Sequence, residues 1–144
     1  MTTPMLVSRD QVVGEARSWL DVRWKHQGRS RSGIDCIGLV VMTMKALDIP
    51  VQDLAGYRRS PNPEVFMSGI RSQLDWAEKP LPGGVAIFRQ ALQPCHVGIF
   101  AGTEENLTLI HGYAPYGAVK EEPFTNQWPG LLVETRQFKE LVDG

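Results

Sequence analysis

The sequence lacks the features that define several large classes of protein. Its 15 basic and 16 acidic side chains leave a net charge of -1, so no electrostatic attraction to nucleic acid or to an anionic membrane is expected. No apolar run approaches the roughly 18 residues of a membrane span. The start, residues 1–5, has no basic segment and no apolar segment of the kind found in signal peptides. We therefore expect a protein made in the cytoplasm without a signal peptide.

Metal-binding patterns are also missing. The two cysteines form no C-x-x-C pair, and the three histidines are scattered singly, so no zinc-ligand spacing is present. A length of 144 residues is enough to bury a core without disulfides or metals. We expect one domain over residues 1–144, and no metal or other cofactor.

One stretch, Ser32 to Met42, combines a turn, a helix cap and a cysteine. Asp35 is a typical N-cap residue, and Cys36 would then occupy the first helical position. A helix N-terminus favours negative charge and so promotes ionisation of a thiol placed there. Cys36 is therefore a candidate nucleophile. The alternative is that a small apolar residue simply begins a buried helix.

The segment before Cys36 is polar and contains four cations: Arg23, Lys25, Arg29 and Arg31. The simplest interpretation is a solvated face, and the alternative is a contact with an anionic substrate. His26 is interpreted as a surface residue. Gly38 is unfavourable inside a helix by about 1 kcal/mol relative to alanine, which suggests close approach of another backbone or of a substrate.

Hydrophobic periodicity predicts helices first and strands afterwards. The predicted helices cover residues 9–21, 36–48 and about 63–76. The predicted strands cover residues 85–88, 96–101, 107–111, 118–121 and 131–135. This order is typical of an α+β fold with an antiparallel sheet.

Two histidines lie on neighbouring predicted strands. If the turn is symmetric about Thr103 and Glu104, His96 lies directly opposite His111 on one face of the sheet. A catalytic cysteine needs a base, and the base works best when a third group orients its ring. Cys36, His96 and His111 supply these parts. Backbone N–H groups at Asp35, Cys36 and Ile37 could stabilise an oxyanion. The alternative is two unrelated histidines at strand ends.

Four segments together resemble the motifs of the NlpC-type cell-wall cysteine peptidases, and they occur in that family's order. They are Trp24–Val40 around the cysteine, Pro82–Phe88, His96–Phe100 and Leu109–Gly112. The resemblance implies a reduced papain-like fold, in which a cysteine-bearing helix packs on an antiparallel sheet that carries the histidine. It also implies hydrolysis of amide bonds in peptidoglycan stem peptides, often between D-γ-glutamate and diaminopimelate or lysine, without a metal.

The chain departs from the family pattern in three places. Ile37 stands where many members have serine, and Gly84 where many have aspartate. Cys95 directly precedes His96; it could form a disulfide with Cys36 under oxidation, or play no part. Contacts with substrate are expected from Trp24, Ser32, Tyr57 and Tyr113.

The bare catalytic domain without an export signal resembles the branch of the family found in phage tails, prophages and gene transfer particles. We therefore expect partners among phage-tail proteins and action at the cell wall during DNA entry. Two alternatives remain: an amidase or acyltransferase with a small substrate, or a non-enzymatic tail assembly protein. The stretch from Trp128 to Gly130 could be a docking surface.

Overall fold

A computed structural model describes residues 6–53, 63–90, 93–139 and 141–142. The helices are α1 (Arg9–Arg17), α2 (Cys36–Ala46), α3 (Pro63–Gln73) and the short α4 (Trp128–Leu131), with a 3-10 turn at Ala114–Tyr116. The strands are β1 (Val7–Ser8), β2 (Arg29–Ser30), β3 (Gly33–Ile34), β4 (Leu74–Ala77), β5 (Val85–Gln90), β6 (Gln93–Gly102), β7 (Leu107–Tyr113), β8 (Ala118–Pro123), β9 (Leu132–Phe138) and β10 (Leu141–Val142). No helix in the described part of the chain is long and apolar enough to cross a membrane.

Six strands form one sheet in the order β4-β9-β5-β6-β7-β8. Every neighbouring pair in this sheet is antiparallel. Two small ribbons lie outside it: β1 pairs in parallel with β10, and β2 pairs with β3 just before α2. The α+β fold with an antiparallel sheet is thus confirmed.

Side chains on the two faces of the sheet enter different cores. Val85, Ile87 and Ile99 join the main core with the apolar sides of α1, α2 and α3. Phe88 and Phe100 join a smaller core that Trp128 covers from the other side. Alternation along the strands explains this division, since successive side chains point to opposite faces.

All three predicted helices end earlier in the structure than in the prediction. The first was predicted to run to residue 21, but α1 ends at Arg17 because the next residues form tight turns that bring the Asp21 N–H to the Val119 carbonyl at 2.9 Å. The second was predicted to run to residue 48, but α2 ends at Ala46. The third was predicted to reach Trp76, but residues 74–77 are strand β4. The free edge of β9 supplies backbone partners there, and this pairing overrides the helical pattern.

The predicted register between the histidine strands was wrong by two residues. Ile99 pairs with Ile110, so the residue opposite His111 is Gly98 and not His96. The turn is centred one residue later than expected, because Thr103 and Asn106 exchange backbone hydrogen bonds across it. A shift of two preserves the alternation of side chains, so both histidines still lie on one face.

Candidate functional site

Asp35 fixes the start of α2. Its backbone is extended (φ -109°, ψ -173°), and its carboxylate accepts the Gly38 N–H at 2.8 Å, as a helix N-cap does. The same carboxylate accepts the Gln27 N–H at 2.8 Å and the Arg29 Nη1 at 3.0 Å. Asp35 is 2% exposed. The predicted N-cap is confirmed, and Cys36 is the first helical residue, half-buried.

Arg29 is not a solvated cation, which corrects that interpretation. Its side chain is 18% exposed and lies between the carboxylates of Asp35 and Asp53. Arg31 covers the Trp19 ring, with the guanidinium carbon 3.6 Å from the ring centroid. At least two of the four cations before Cys36 therefore support the local structure.

Two glycines allow neighbouring backbone to pack closely at the start of α2. A Cβ added at Gly38 would lie 2.4 Å from the Gly28 carbonyl oxygen, so the close approach expected at Gly38 is to the preceding loop. A Cβ at Gly112 would lie 3.1 Å from the Asp35 carbonyl carbon and 3.3 Å from the Cys36 nitrogen. The peptide that carries the cysteine therefore contacts β7 one residue after His111.

His96 and His111 form a hydrogen bond, with His96 Nε2 and His111 Nδ1 2.8 Å apart. The other nitrogen of the His111 ring, Nε2, lies 2.7 Å from Glu122 Oε2. His96 is 4% exposed and His111 is fully buried. Two imidazoles and a carboxylate thus form one connected row.

Aromatic side chains enclose both rings. The His111 ring stacks on Tyr113 at 5.5 Å and meets the edge of Trp128 at 4.8 Å. The His96 ring lies 5.3 Å from Tyr113 and 5.9 Å from Phe88. These contacts hold the ring planes and exclude water from them.

Burial lowers the pKa of His96 well below its ordinary value, and the neighbouring His111 ring adds to this effect by charge repulsion. Burial also lowers the pKa of His111, against the opposing hydrogen bond and charge of Glu122. Both rings are therefore neutral at neutral pH, and a neutral imidazole can accept a proton.

The structure brings together only part of the predicted substrate-binding set. Tyr113 lies on both histidine rings, whereas Ser32 is exposed and its Oγ lies 2.8 Å from that of Ser30. Trp24 is half-buried and its ring stacks on His26 at 6.5 Å. Tyr57 lies outside the described residues, and so does the side chain of Cys95.

The sequence interpretation missed Glu122 and misplaced Trp128. Glu122 lies one residue beyond the predicted end of its strand; because His111 pairs with Lys120, Glu122 shares the histidine's face two residues away. Gly117, with φ 74°, closes the turn that sets this register and is the signal that could have located it. Trp128 is 1% exposed, so the interpretation of this tryptophan as part of a docking surface was wrong.

The candidate site combines a helix that begins at a cysteine with an antiparallel sheet that carries a buried histidine pair, and the helix packs on the sheet. This arrangement is the papain-like α+β fold. Among the described residues no group of three or more His, Cys, Asp or Glu side chains could hold a metal ion.

The chain belongs to the NlpC/P60 family, whose model matches residues 21–133. It is 25% identical over 126 residues to an Escherichia coli protein named "Probable endopeptidase NlpC", a match that covers 85% of this chain and 73% of that protein.

Solved structures of the same family share the fold. An NlpC/P60 family protein from Bacillus cereus superimposes with a TM-score of 0.70 at 17% identity, over 93% of this chain and 41% of the other. The chain therefore spans less than half the length of that protein. The NlpC/p60 domain of the peptidoglycan hydrolase SagA superimposes with a TM-score of 0.63 at 19% identity, over 92% of this chain and 100% of the domain.

Proposed function

We propose that the protein is a cysteine endopeptidase that hydrolyses amide bonds in peptidoglycan stem peptides, of the D-γ-glutamyl–diaminopimelate or –lysine type. The observation that carries the proposal is the buried His96–His111 hydrogen bond on the strands that meet the start of the Cys36 helix. The family and the two named hydrolases among its relatives support the substrate class.

In the proposed reaction, His96 takes the Cys36 thiol proton and the thiolate attacks the carbonyl carbon of the scissile amide. The new C–S bond leaves an oxyanion, which backbone N–H groups at the start of α2 stabilise. Collapse breaks the C–N bond, and His96 returns its proton to the departing amine. Water, deprotonated by His96, then hydrolyses the thioester and restores the thiol.

The experiment is digestion of purified peptidoglycan under reducing conditions, with products identified by mass. The wild type should release stem-peptide fragments, Cys36→Ala should release none, and Cys95→Ser should retain cleavage. Sugar-peptide separation instead of cleavage within the peptide would show an amidase. Absence of any product from folded, reduced wild type would refute the murein-hydrolase proposal. Loss of cleavage in Cys95→Ser but not in Cys36→Ala would refute the assignment of Cys36 as the nucleophile.

We also propose that the enzyme reaches the wall as a component of a phage tail or phage-like particle. The support is the resemblance, stated from the sequence, of this short catalytic domain to the particle-borne branch of the family. Its test is mass spectrometry of particles purified from the producing cell through a density gradient. Co-purification of the protein with tail proteins supports this proposal, and its presence only in the particle-free fractions refutes it.

A further inference from the structure

The row of two imidazoles ends in a carboxylate whose second oxygen is also engaged. Glu122 Oε2 lies 2.7 Å from His111 Nε2, and Glu122 Oε1 accepts the Tyr116 hydroxyl at 3.2 Å. Its side chain is 22% exposed. Both oxygens have a defined partner, so the carboxylate has a fixed orientation at the outer end of the row.

A carboxylate sets the direction of every hydrogen bond that follows. It has acceptor atoms only, so the His111 Nε2 must donate to it. A neutral His111 that is protonated at Nε2 has a lone pair at Nδ1, and so His96 must donate from its own Nε2. A neutral His96 protonated at Nε2 has a lone pair at Nδ1, the ring nitrogen that takes the Cys36 proton in the proposed reaction.

We propose that Glu122 is a positioning residue that fixes both buried histidines in the Nε2–H tautomer and so keeps Nδ1 of His96 available as the base. This inference rests on the proposed function. Glu122 acts through His111 and does not touch the reacting atoms. Without it the row can reverse: His111 would donate from Nδ1, and His96 would carry its proton on the nitrogen that must receive one.

The strand itself offers a matched control. Glu121, the preceding residue, has its carboxylate bonded to Arg17 at 2.9 Å and to the Thr108 hydroxyl at 2.6 Å. It is a partly buried carboxylate on the same strand, and within the described part of the chain its side-chain hydrogen bonds go to Arg17 and Thr108 and not to either histidine. Glu121→Gln therefore reports what the loss of a strand carboxylate does by itself.

The first test uses the wild type and needs no substrate. Long-range 15N–1H NMR of the histidine side chains distinguishes a protonated ring nitrogen from an unprotonated one. The proposal predicts the Nε2–H form for both His96 and His111 at about pH 7. A His111 ring protonated at Nδ1 in the folded wild type would overturn it, whatever the variants do.

The second test measures how fast iodoacetamide alkylates Cys36 at about pH 7, with peptide mass mapping to separate Cys36 from Cys95. Glu122→Leu should slow the reaction about 10- to 100-fold, the typical effect of removing a hydrogen-bond partner that orients a metal-ligating histidine. Glu122→Gln, which retains an acceptor oxygen without the charge, should lie in between. Glu121→Gln should stay within about twofold of wild type.

On peptidoglycan, Glu122→Leu should lower kcat by a similar factor and change KM little, because the substrate is still bound and only the base is lost. A folded Glu122→Leu protein with wild-type tautomers and a wild-type alkylation rate would refute the proposal. If Glu122→Leu does not fold, the Glu122→Gln rate decides. Neither NMR nor alkylation uses peptidoglycan, so failure of the positioning role is distinguishable from failure of the proposed function.

Discussion

Replacing Asp35 by alanine should weaken the start of the cysteine helix more than any exposed ion pair would. The carboxylate accepts three hydrogen bonds, from the Gly38 N–H, the Gln27 N–H and the Arg29 guanidinium, at 2.8 to 3.0 Å. It is buried at 2% exposure, so water cannot replace the lost acceptor without rearrangement.

The magnitude follows from these three bonds. Loss of an N-cap costs about 1 kcal/mol. A Gln27 amide left without an acceptor costs about 1 kcal/mol more. The bond from Arg29 contributes about 1 kcal/mol, because the guanidinium retains Asp53 on its other side. We expect Asp35→Ala to lose about 3 kcal/mol of unfolding free energy, and Asp35→Asn, which retains one acceptor oxygen, about half of that.

The assay is urea denaturation followed by tryptophan fluorescence, with Asp53→Asn as the control. Asp53 is 28% exposed and bonds Arg29 from the outer side, so its loss should cost about 1 kcal/mol or less. Equal losses for Asp35→Ala and Asp53→Asn would refute the reasoning, because the three buried bonds would then contribute nothing beyond a surface ion pair.

Three further changes test the packing and the charge of the site. In Gly112→Ala the new Cβ would lie 3.1 Å from the carbonyl carbon of Asp35, the N-cap of α2. This variant should lose about 10-fold or more in activity, because the peptide that carries Cys36 is displaced. Gly14→Ala has open space around the new Cβ and should stabilise α1 by about 0.5–1 kcal/mol in urea denaturation. Trp128→Ala should lower the free energy of unfolding by about 3–5 kcal/mol in the same assay. Trp76→Ala, at a side chain that is 60% exposed, should lower it by about 1 kcal/mol or less. Equal losses would contradict the buried position of Trp128. Burial lowers the pKa of both site histidines in the folded chain, so protonation favours the unfolded chain. The free energy of unfolding is therefore highest above about pH 6.5 and falls as the pH drops below that value. The expected loss between about pH 7.5 and 5.5 is about 1–2 kcal/mol. His96→Asn should reduce this difference, and equal stability of the wild type at both pH values would contradict it.

Much of the fold could be predicted because its local signals agree with its long-range pairing. Asp35 ahead of an apolar run predicts the start of α2, and the short apolar run Val85–Phe88 after a turn predicts β5. Strand β4 could not be predicted in this way. Residues 74–77 continue a helical pattern, and only the edge of β9 makes them a strand.

The candidate site was predictable where one residue type carries the chemistry and unpredictable where register decides. Cys36 and His96 could be found from helix capping and a strand motif. His111 could be predicted as the partner of His96 even with the wrong strand register, because a shift of two residues leaves both side chains on the same face of the sheet. Glu122 depends on the turn closed by Gly117, and a shift of one residue there would turn its side chain to the other face of the sheet.

If Cys36 is the nucleophile of the proposed reaction, stoichiometric alkylation of its thiol must abolish cleavage. The enzyme is titrated with iodoacetamide, the labelled residue is identified by peptide mass mapping, and residual peptidoglycan cleavage is measured in the same samples. Activity should fall in proportion to the fraction of Cys36 that is alkylated. Full alkylation of Cys36 with cleavage intact would contradict it.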